Sequence, residues 1–261
     1  MKTKIMGIIN INSDSFFEGS RTTINAVEEK IAQMINDGAD MIDIGALSSR
    51  PGSDAISEGD ELKRVRGVLD IVKKNRFYEK AIFSLDSYSP LTLDYALNCG
   101  FKIVNDITGL SNDDVCLTAK KHDAAVCIMH MKGEPKSMQA NPKYSDVVKE
   151  VGKFFEERIE KAKSFGINDI ILDVGIGFGK ELEHNIELIK RHGDFLRFGY
   201  PLLIGASRKS MIDKITPCET KDRLPATLII HIEAVRNGAS IVRCHDVKEH
   251  FQALKVFEAL R

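Results

Sequence analysis

The stretch INAVEEKIAQMINDGADMIDIG, residues 24–45, contains one complete unit of the pattern that decides the fold of this 261-residue chain. Its first part has apolar residues at helical spacing, which predicts an amphipathic helix with one apolar face: Ile24, Val27, Ile31, Met34 and Ile35. Gly38 follows as a helix stop signal. The short apolar run 41–45 then fits a strand that is buried on both faces of a parallel sheet. The unit therefore predicts a helix that leads into a buried strand.

The same unit recurs along the chain. Residues 144–167 and 223–240 each combine a helical apolar pattern with a glycine stop, Gly166 and Gly238. Strand-like runs lie at 5–10, 41–45, 82–86, 103–106, 125–130, 170–173, 202–205 and 240–243. Eight β–α units in about 250 residues are typical of the (β/α)8 TIM barrel. We predict an α/β protein with a single barrel domain over residues 1–261. A doubly wound open sheet fits the same pattern, because periodicity does not give the strand order.

Composition narrows the class of protein. Lys and Arg total 37 against 38 Asp and Glu, and this balance argues against a nucleic-acid or membrane surface. The five cysteines are widely spaced without a C-x-x-C pair, which indicates reduced thiols: Cys99, Cys116, Cys127, Cys218 and Cys244. The N-terminal apolar run is too short for a secretory signal, and no segment approaches the roughly 20 apolar residues of a membrane span. We predict a cytoplasmic protein.

Polar residues collect where the predicted strands end: Asn10, Asp43, Asp86, Asn105, His130, Asp173, Arg243 and His245. A single Asp or Asn in such a place more commonly caps a helix or fixes a turn. Eight together on one rim indicate a site, because TIM-barrel active sites lie at the C-terminal ends of the strands.

One subset of these residues suits a flat heterocycle. A carboxylate, from Asp86 or Asp173, can accept two parallel donors from an amino group beside a ring N–H, and Asn105 can donate and accept at neighbouring ring atoms. With Lys209, this set favours a pterin-like or guanine-like ring over a sugar. The run GIGFGK at 175–180 fits neither a Walker A loop nor the G-x-G-x-x-G dinucleotide motif, so we do not expect a phosphate cradle there.

A second subset is basic. Arg243 and His245 are two apart in an extended chain, so their side chains point the same way and favour an anion clamp. Arg50 follows the second strand, where an exposed loop charge is an equally good interpretation. A zinc site would need His130, His245 and a carboxylate to converge, but the sequence lacks H-x-H and H-E-x-x-H, so zinc is not predicted.

Several motifs together resemble those of the dihydropteroate synthase family: SSRPG, NDITG, MHMKGEPKSMQANPKY, ILDVGIGFGK, GASRKS and RCHDV. The resemblance extends from Met6 to His250. It implies a homodimeric TIM-barrel transferase that uses Mg²⁺ and serves folate biosynthesis. It also implies the reaction, which joins para-aminobenzoate to dihydropterin pyrophosphate and releases pyrophosphate, and a target for sulfonamides.

The resemblance also implies residue roles. It places catalysis at Asp86, Lys209, Arg243 and His245. It places the pterin at Asp86, Asn105, Met129, Asp173, Phe178, Gly205 and Lys209. It places pyrophosphate at Asn10, Ser49, Arg50, Arg243 and His245, with Asn10 also holding magnesium. It places para-aminobenzoate at Phe16, Ser49, Pro51, Lys209 and Ser210.

The chain departs from the family pattern in its loops. Ser13 stands where the family usually has Pro, Leu47 stands in place of Glu, and Val174 replaces a common Pro. Two alternatives therefore remain at this point. One is a pterin-binding barrel without catalytic activity. The other is a methyltransferase that passes a methyl group from methyltetrahydrofolate to a corrinoid protein, although that reaction needs neither the SRPG loop nor the R-x-H pair.

Overall fold

The computed structural model describes residues 2–11, 21–45, 57–134 and 137–260. Its strands are all parallel and close into a barrel in sequential order, with the first strand beside the eighth. They are β1 (Lys4–Asn10), β2 (Met41–Gly45), β3 (Ile82–Asp86), β4 (Ile103–Asp106), β5 (Ala125–Met129), β6 (Ile170–Asp173), β7 (Leu202–Ile204) and β8 (Ile241–Cys244). The TIM barrel is confirmed, and the open-sheet alternative is wrong. The predicted bounds of β2, β3, β4 and β6 match the observed ones, β1, β5 and β7 differ by one residue at one end, and β8 is shifted by one residue at both ends.

Helices connect the strands across the described residues. They are α1 (Arg21–Asn36), α2 (Glu58–Lys74), α3 (Pro90–Asn98), α4 (Asp113–Lys121), α5 (Val147–Ser164), α6 (Leu182–Lys190), α7 (Ser210–Ile215), α8 (Leu224–Arg236) and α9 (Val247–Ala259). Short 3₁₀ turns lie at Phe77–Glu79, His192–Phe198 and Thr220–Asp222. No helix in the described part of the chain is long and apolar enough to span a membrane.

Local sequence explains where several helices begin and end. Ser57 caps α2 by accepting the N–H of Asp60 at 3.2 Å. The predicted glycine stops Gly38, Gly166 and Gly238 follow α1, α5 and α8 with φ of 100°, 76° and 99°, a backbone region that favours glycine.

The barrel interior has two layers. An apolar cluster fills the lower part: Met6, Met41, Ile103, Cys127, Ile171, Leu203 and Ile241. Because successive residues of a strand face opposite sides, the residue two positions later also points into the barrel. It lies one layer nearer the C-terminal mouth. Those positions are polar in Asp43, Asn105, Asp173 and Arg243. The alternation therefore sets a polar layer directly on an apolar floor.

Candidate active site

The polar layer brings most of the predicted site residues to one mouth. Strand register pairs Asp86 of β3 with Asn105 of β4, and Met129 of β5 with Asp173 of β6. Asp86, Asn105, Met129 and Asp173 are each less than a tenth exposed. The three polar side chains among them, Asp86, Asn105 and Asp173, are costly to bury unless they are paired or serve a ligand, so their partners define the site.

Arg243 lies across the barrel against two carboxylates. Its Nε donates to Asp43 Oδ2 at 2.7 Å, and its Nη2 donates to Asp86 Oδ2 at 3.1 Å. Asn105 Nδ2 donates to the same Asp43 oxygen at 3.1 Å. Burial raises the pKa of Asp86 to about 7, although Arg243 opposes that rise. Arg243 is therefore held in place by the barrel itself before any ligand arrives.

Asp43 is a site residue to which sequence reasoning gave no role beyond the rim. It is fully buried, and its Oδ1 atom has no partner among the described residues. The available signal was its position two residues after Met41 in the same strand, the spacing that also separates Ile171 from Asp173. Its second oxygen fixes both Arg243 and Asn105, so Asp43 orients the floor of the site.

Asp173 offers one free carboxylate oxygen. Its Oδ1 accepts the N–H of Gly175 at 2.8 Å, and among the described residues no donor reaches Oδ2. Gly205 lies opposite, where an added Cβ would stand 3.8 Å from Oδ2. Burial raises the pKa of Asp173, whereas the Gly175 N–H and Lys209 lower it. The carboxylate is thus shaped by its own loop and presents an acceptor to the mouth.

The glycine loop, residues 175–179, packs directly on the chain after β5. Gly175, Gly177 and Gly179 have φ of 66°, 81° and 61°. A Cβ at Gly175 would lie 2.0 Å from the His130 carbonyl oxygen, and one at Gly179 would lie 2.1 Å from that of Lys132. Both positions exclude any side chain, so these glycines let the loop backbone approach the backbone that follows β5.

Side chains, not regular secondary structure, bind the carbonyl groups of the glycine loop. Every carbonyl from 175 to 179 accepts a side-chain donor. Lys180 binds those of Gly175 and Phe178, Lys209 that of Ile176, Gln139 that of Gly177, and Tyr144 that of Gly179. These bonds fix a segment that carries no helix or strand of its own.

Lys209 and Phe178 form one wall of the mouth. The Lys209 ammonium lies 4.1 Å from the centre of the Phe178 ring, within cation–π range. Burial lowers the pKa of Lys209 to about 8, although the Asp173 carboxylate raises it. Ser210, which begins α7, is exposed beside Lys209.

His245 has partners different from those of Arg243. Its Nδ1 lies 2.9 Å from the Ser207 hydroxyl, and burial together with Arg243 lowers its pKa to about 4. The neutral ring therefore has a fixed orientation near the end of β8. His130, the other rim histidine, is buried with its Nδ1 2.9 Å from the Lys180 amine.

The remaining predicted residues stand apart from this set. Asn10 is exposed at the end of β1. Phe16, Ser49, Arg50 and Pro51 lie outside the described residues, as do Ser13 and Leu47 of the altered loops. Their predicted roles stay predictions.

Comparisons with known proteins agree with this geometry. The family model described as "Pterin binding enzyme" matches residues 6–245. The bifunctional dihydropteroate synthase/dihydropteroate reductase of Helicobacter pylori is 42% identical over 98% of this chain and 68% of its own length. Among solved structures, the Yersinia pestis dihydropteroate synthase with a sulfonamide drug complex has a TM-score of 0.93 and 35% identity, covering 100% of this chain and 94% of its own. The Thermus thermophilus dihydropteroate synthase in complex with 4-aminobenzoate has a TM-score of 0.89 and 34% identity, covering 100% of this chain and 95% of its own.

The chain belongs to the pterin-binding enzyme family, among the dihydropteroate synthases.

Proposed function

We propose that this protein joins para-aminobenzoate to 6-hydroxymethyl-7,8-dihydropterin pyrophosphate, releasing 7,8-dihydropteroate and pyrophosphate in folate biosynthesis. The observation that carries the proposal is the Asp173 carboxylate, which has one oxygen bound by Gly175 and the other open to the mouth. Although burial raises the pKa of that carboxylate, the Lys209 ammonium lowers it and packs on the half-buried Phe178 ring. A pterin presents the complementary edge, an amino group beside a ring N–H.

The pterin would be held by its edge and by its faces. Asp173 accepts from the amino-pyrimidinone edge, while Asn105, whose amide donates to Asp43, keeps its carbonyl oxygen for a ring donor. Phe178 on one side and Met129 on the other supply apolar contact. Asp86 favours positive charge that develops on the ring as the leaving group departs.

The departing pyrophosphate needs positive charge at the end of β8. Arg243 remains protonated there, because the Asp43 and Asp86 carboxylates raise its pKa above the usual range against the effect of burial. His245 adds a hydrogen-bonding ring whose orientation Ser207 fixes. The amino group of para-aminobenzoate has a free lone pair at neutral pH, so we assign no general base.

Asn10 fits the magnesium role that the family resemblance implies. Its amide oxygen is exposed at the mouth, and a Cβ on Gly45 would lie 2.8 Å from that oxygen, so the glycine leaves room for it. Magnesium prefers oxygen ligands and commonly combines one or two protein ligands with substrate phosphates. Bound there, the ion would neutralise charge on pyrophosphate.

The para-aminobenzoate position, a dimer and the cellular location are part of the same proposal. Lys209 and Ser210 form the described side of the para-aminobenzoate site, which sulfonamides would also occupy. The homodimer is what the family resemblance implies, and Ile229 on α8, which is 71% exposed, is the surface position chosen to test it. All five cysteines are free, which supports a reducing compartment such as the cytoplasm.

The test is direct. Purified protein is incubated with dihydropterin pyrophosphate, para-aminobenzoate and magnesium, and dihydropteroate and pyrophosphate are quantified. Equal amounts of both products are expected. Tight pterin binding without either product would instead support the binding-only alternative, and methyl transfer to a corrinoid protein would support the methyltransferase. Sedimentation of the wild type beside Ile229→Glu tests the dimer.

A further inference from the structure

Lys180 carries a buried amine that the proposed reaction does not use. It is only 2% exposed, and burial lowers its pKa well below the usual range. Among the described residues its hydrogen-bond partners are carbonyl oxygens and a histidine ring, with no carboxylate. Burying an amine costs free energy unless its N–H groups are hydrogen-bonded. The partners of Lys180 therefore indicate what the residue does.

Those contacts are all with the glycine loop and the end of β5. The Lys180 Nζ atom donates to the carbonyl of Gly175 at 2.9 Å and to that of Phe178 at 3.0 Å. It also lies 3.2 Å from the His130 carbonyl oxygen and 2.9 Å from His130 Nδ1. An ammonium has three protons and four acceptors here, so its hydrogen-bonding capacity is fully used.

The loop closes around this amine from inside. Lys180 is the residue that ends the loop, and its side chain folds back beneath residues 175 and 178. On the far side, Asn185 accepts the N–H of Gly177 at 2.8 Å and donates to the Glu181 carbonyl at 2.6 Å. Two buried side chains therefore set the path of the backbone, while Gln139 and Tyr144 bind it from outside.

That path decides where two ligand-facing groups stand. Lys180 binds the carbonyl group of Gly175, and the N–H group of the same residue orients the Asp173 carboxylate. The Phe178 carbonyl, whose only donor among the described residues is Lys180, fixes the backbone that carries the Phe178 ring. We propose that Lys180, supported by His130, is a positioning residue that sets the glycine loop in its ligand-ready shape. This inference rests on the proposed pterin site.

The test compares Lys180→Met with the wild type. Methionine has similar length but no donor, so the carbonyls lose their partner without a large change in volume. Titration calorimetry with 6-hydroxymethylpterin should show affinity weakened about tenfold or more, since two loop carbonyls are left without their side-chain donor. The KM for para-aminobenzoate should change less, because of its two proposed residues in the described part of the chain only Lys209 touches the glycine loop, whereas Ser210 begins α7.

A control variant separates this effect from the loss of a partly buried lysine elsewhere in the barrel. Lys161→Met removes a lysine, 21% exposed, that donates to the Ser111 carbonyl at 3.1 Å in the loop after β4. Its pterin affinity should equal that of the wild type. Hydrogen exchange adds a local readout: the Gly177 and Phe178 amides should exchange faster in Lys180→Met, while those of α4 and α5 keep their protection.

The outcomes are distinct. Wild-type pterin affinity in Lys180→Met, or faster exchange spread over the whole barrel, would overturn the positioning role. If Lys180→Met does not fold, Lys180→Gln, which keeps an N–H donor on a shorter side chain, is measured instead. Faster exchange of the loop amides with wild-type pterin affinity in that variant would overturn the role, whereas wild-type exchange and wild-type affinity together would support it, because a donor is retained. A wild-type protein that binds no pterin would overturn the proposed function itself and this inference with it.

Discussion

Asp173→Asn tests the pterin site most sharply, because the structure fixes how the new amide must lie. In the wild type, Asp173 Oδ1 accepts the Gly175 N–H at 2.8 Å. An asparagine keeps that bond only with its oxygen at the Oδ1 position, which puts the NH2 group where Oδ2 faces the ligand. A donor then meets a donor. Loss of one charge-assisted hydrogen bond costs roughly 1.5–3 kcal/mol, before any repulsion is counted.

We therefore expect pterin affinity to fall at least about tenfold, since about 1.4 kcal/mol is a factor of ten. Isothermal titration with 6-hydroxymethylpterin measures the change, and a thermal melt reports the fold, which should be nearly unchanged because the Gly175 bond survives. Asp169→Asn is the matched variant: it makes the same substitution just before the opposite end of β6, at an exposed position. Equal affinity of Asp173→Asn and Asp169→Asn would refute the reasoning and leave Asp173 as a turn residue alone.

Three further predictions concern other parts of the molecule. His245→Ala should weaken use of the pyrophosphate substrate while leaving the affinity for a phosphate-free pterin unchanged in calorimetry. Arg243→Ala should have the same effect. It should also lower the free energy of unfolding in urea by about 3–5 kcal/mol, because two buried carboxylates lose their counter-ion. An equal loss of both ligands in His245→Ala would argue against an anion site. Glu61 is buried and its pKa is raised from 4.5 to about 7, so the folded state holds the proton more tightly and wild-type stability should fall as pH rises between those values. The melting temperature of Glu61→Gln should lack that fall and should exceed that of the wild type above pH 7. Parallel plots of melting temperature against pH for the two proteins would contradict this. The double variant Ser13→Pro with Leu47→Glu should alter the KM for para-aminobenzoate more than pterin affinity, and the reverse result in steady-state kinetics would show that these loops serve the pterin.

The sequence predicted the strands and the rim well because both depend on short-range patterns. Continuous apolar runs placed β2, β3, β4 and β6 at their observed bounds, and the polar residue near the end of each strand gave the mouth. The period-two alternation of a strand predicts to which side of the sheet a side chain points, but not which residue it contacts. The contacts of Arg243 with Asp43 and Asp86 depend on which strands meet when the barrel closes, which no local pattern contains.

Lys180 shows a different limit. A lysine after a glycine-rich run is usually read as a solvent-exposed or phosphate-binding residue, and its burial depends on the path of the loop backbone. The sequence did contain one signal, a lysine that closes a glycine run too short for a Walker A motif. The pairing of Glu61 with Ser87 likewise needs α2 to lie against the end of β3, a matter of tertiary packing.

The bond between Arg243 and Asp43 joins residues 200 positions apart in the chain. During synthesis on the ribosome, β2 emerges long before β8. The Asp43 carboxylate therefore has no Arg243 counter-ion until nearly the whole chain has been made. Contacts between such distant residues form slowly, because a large loop must be ordered before they stabilise anything. Intermediates with seven strands would leave β1 and β7 as open edges and the Asp43 carboxylate unpaired. Docking of β8 thus both closes the barrel and gives the Asp43 carboxylate its counter-ion.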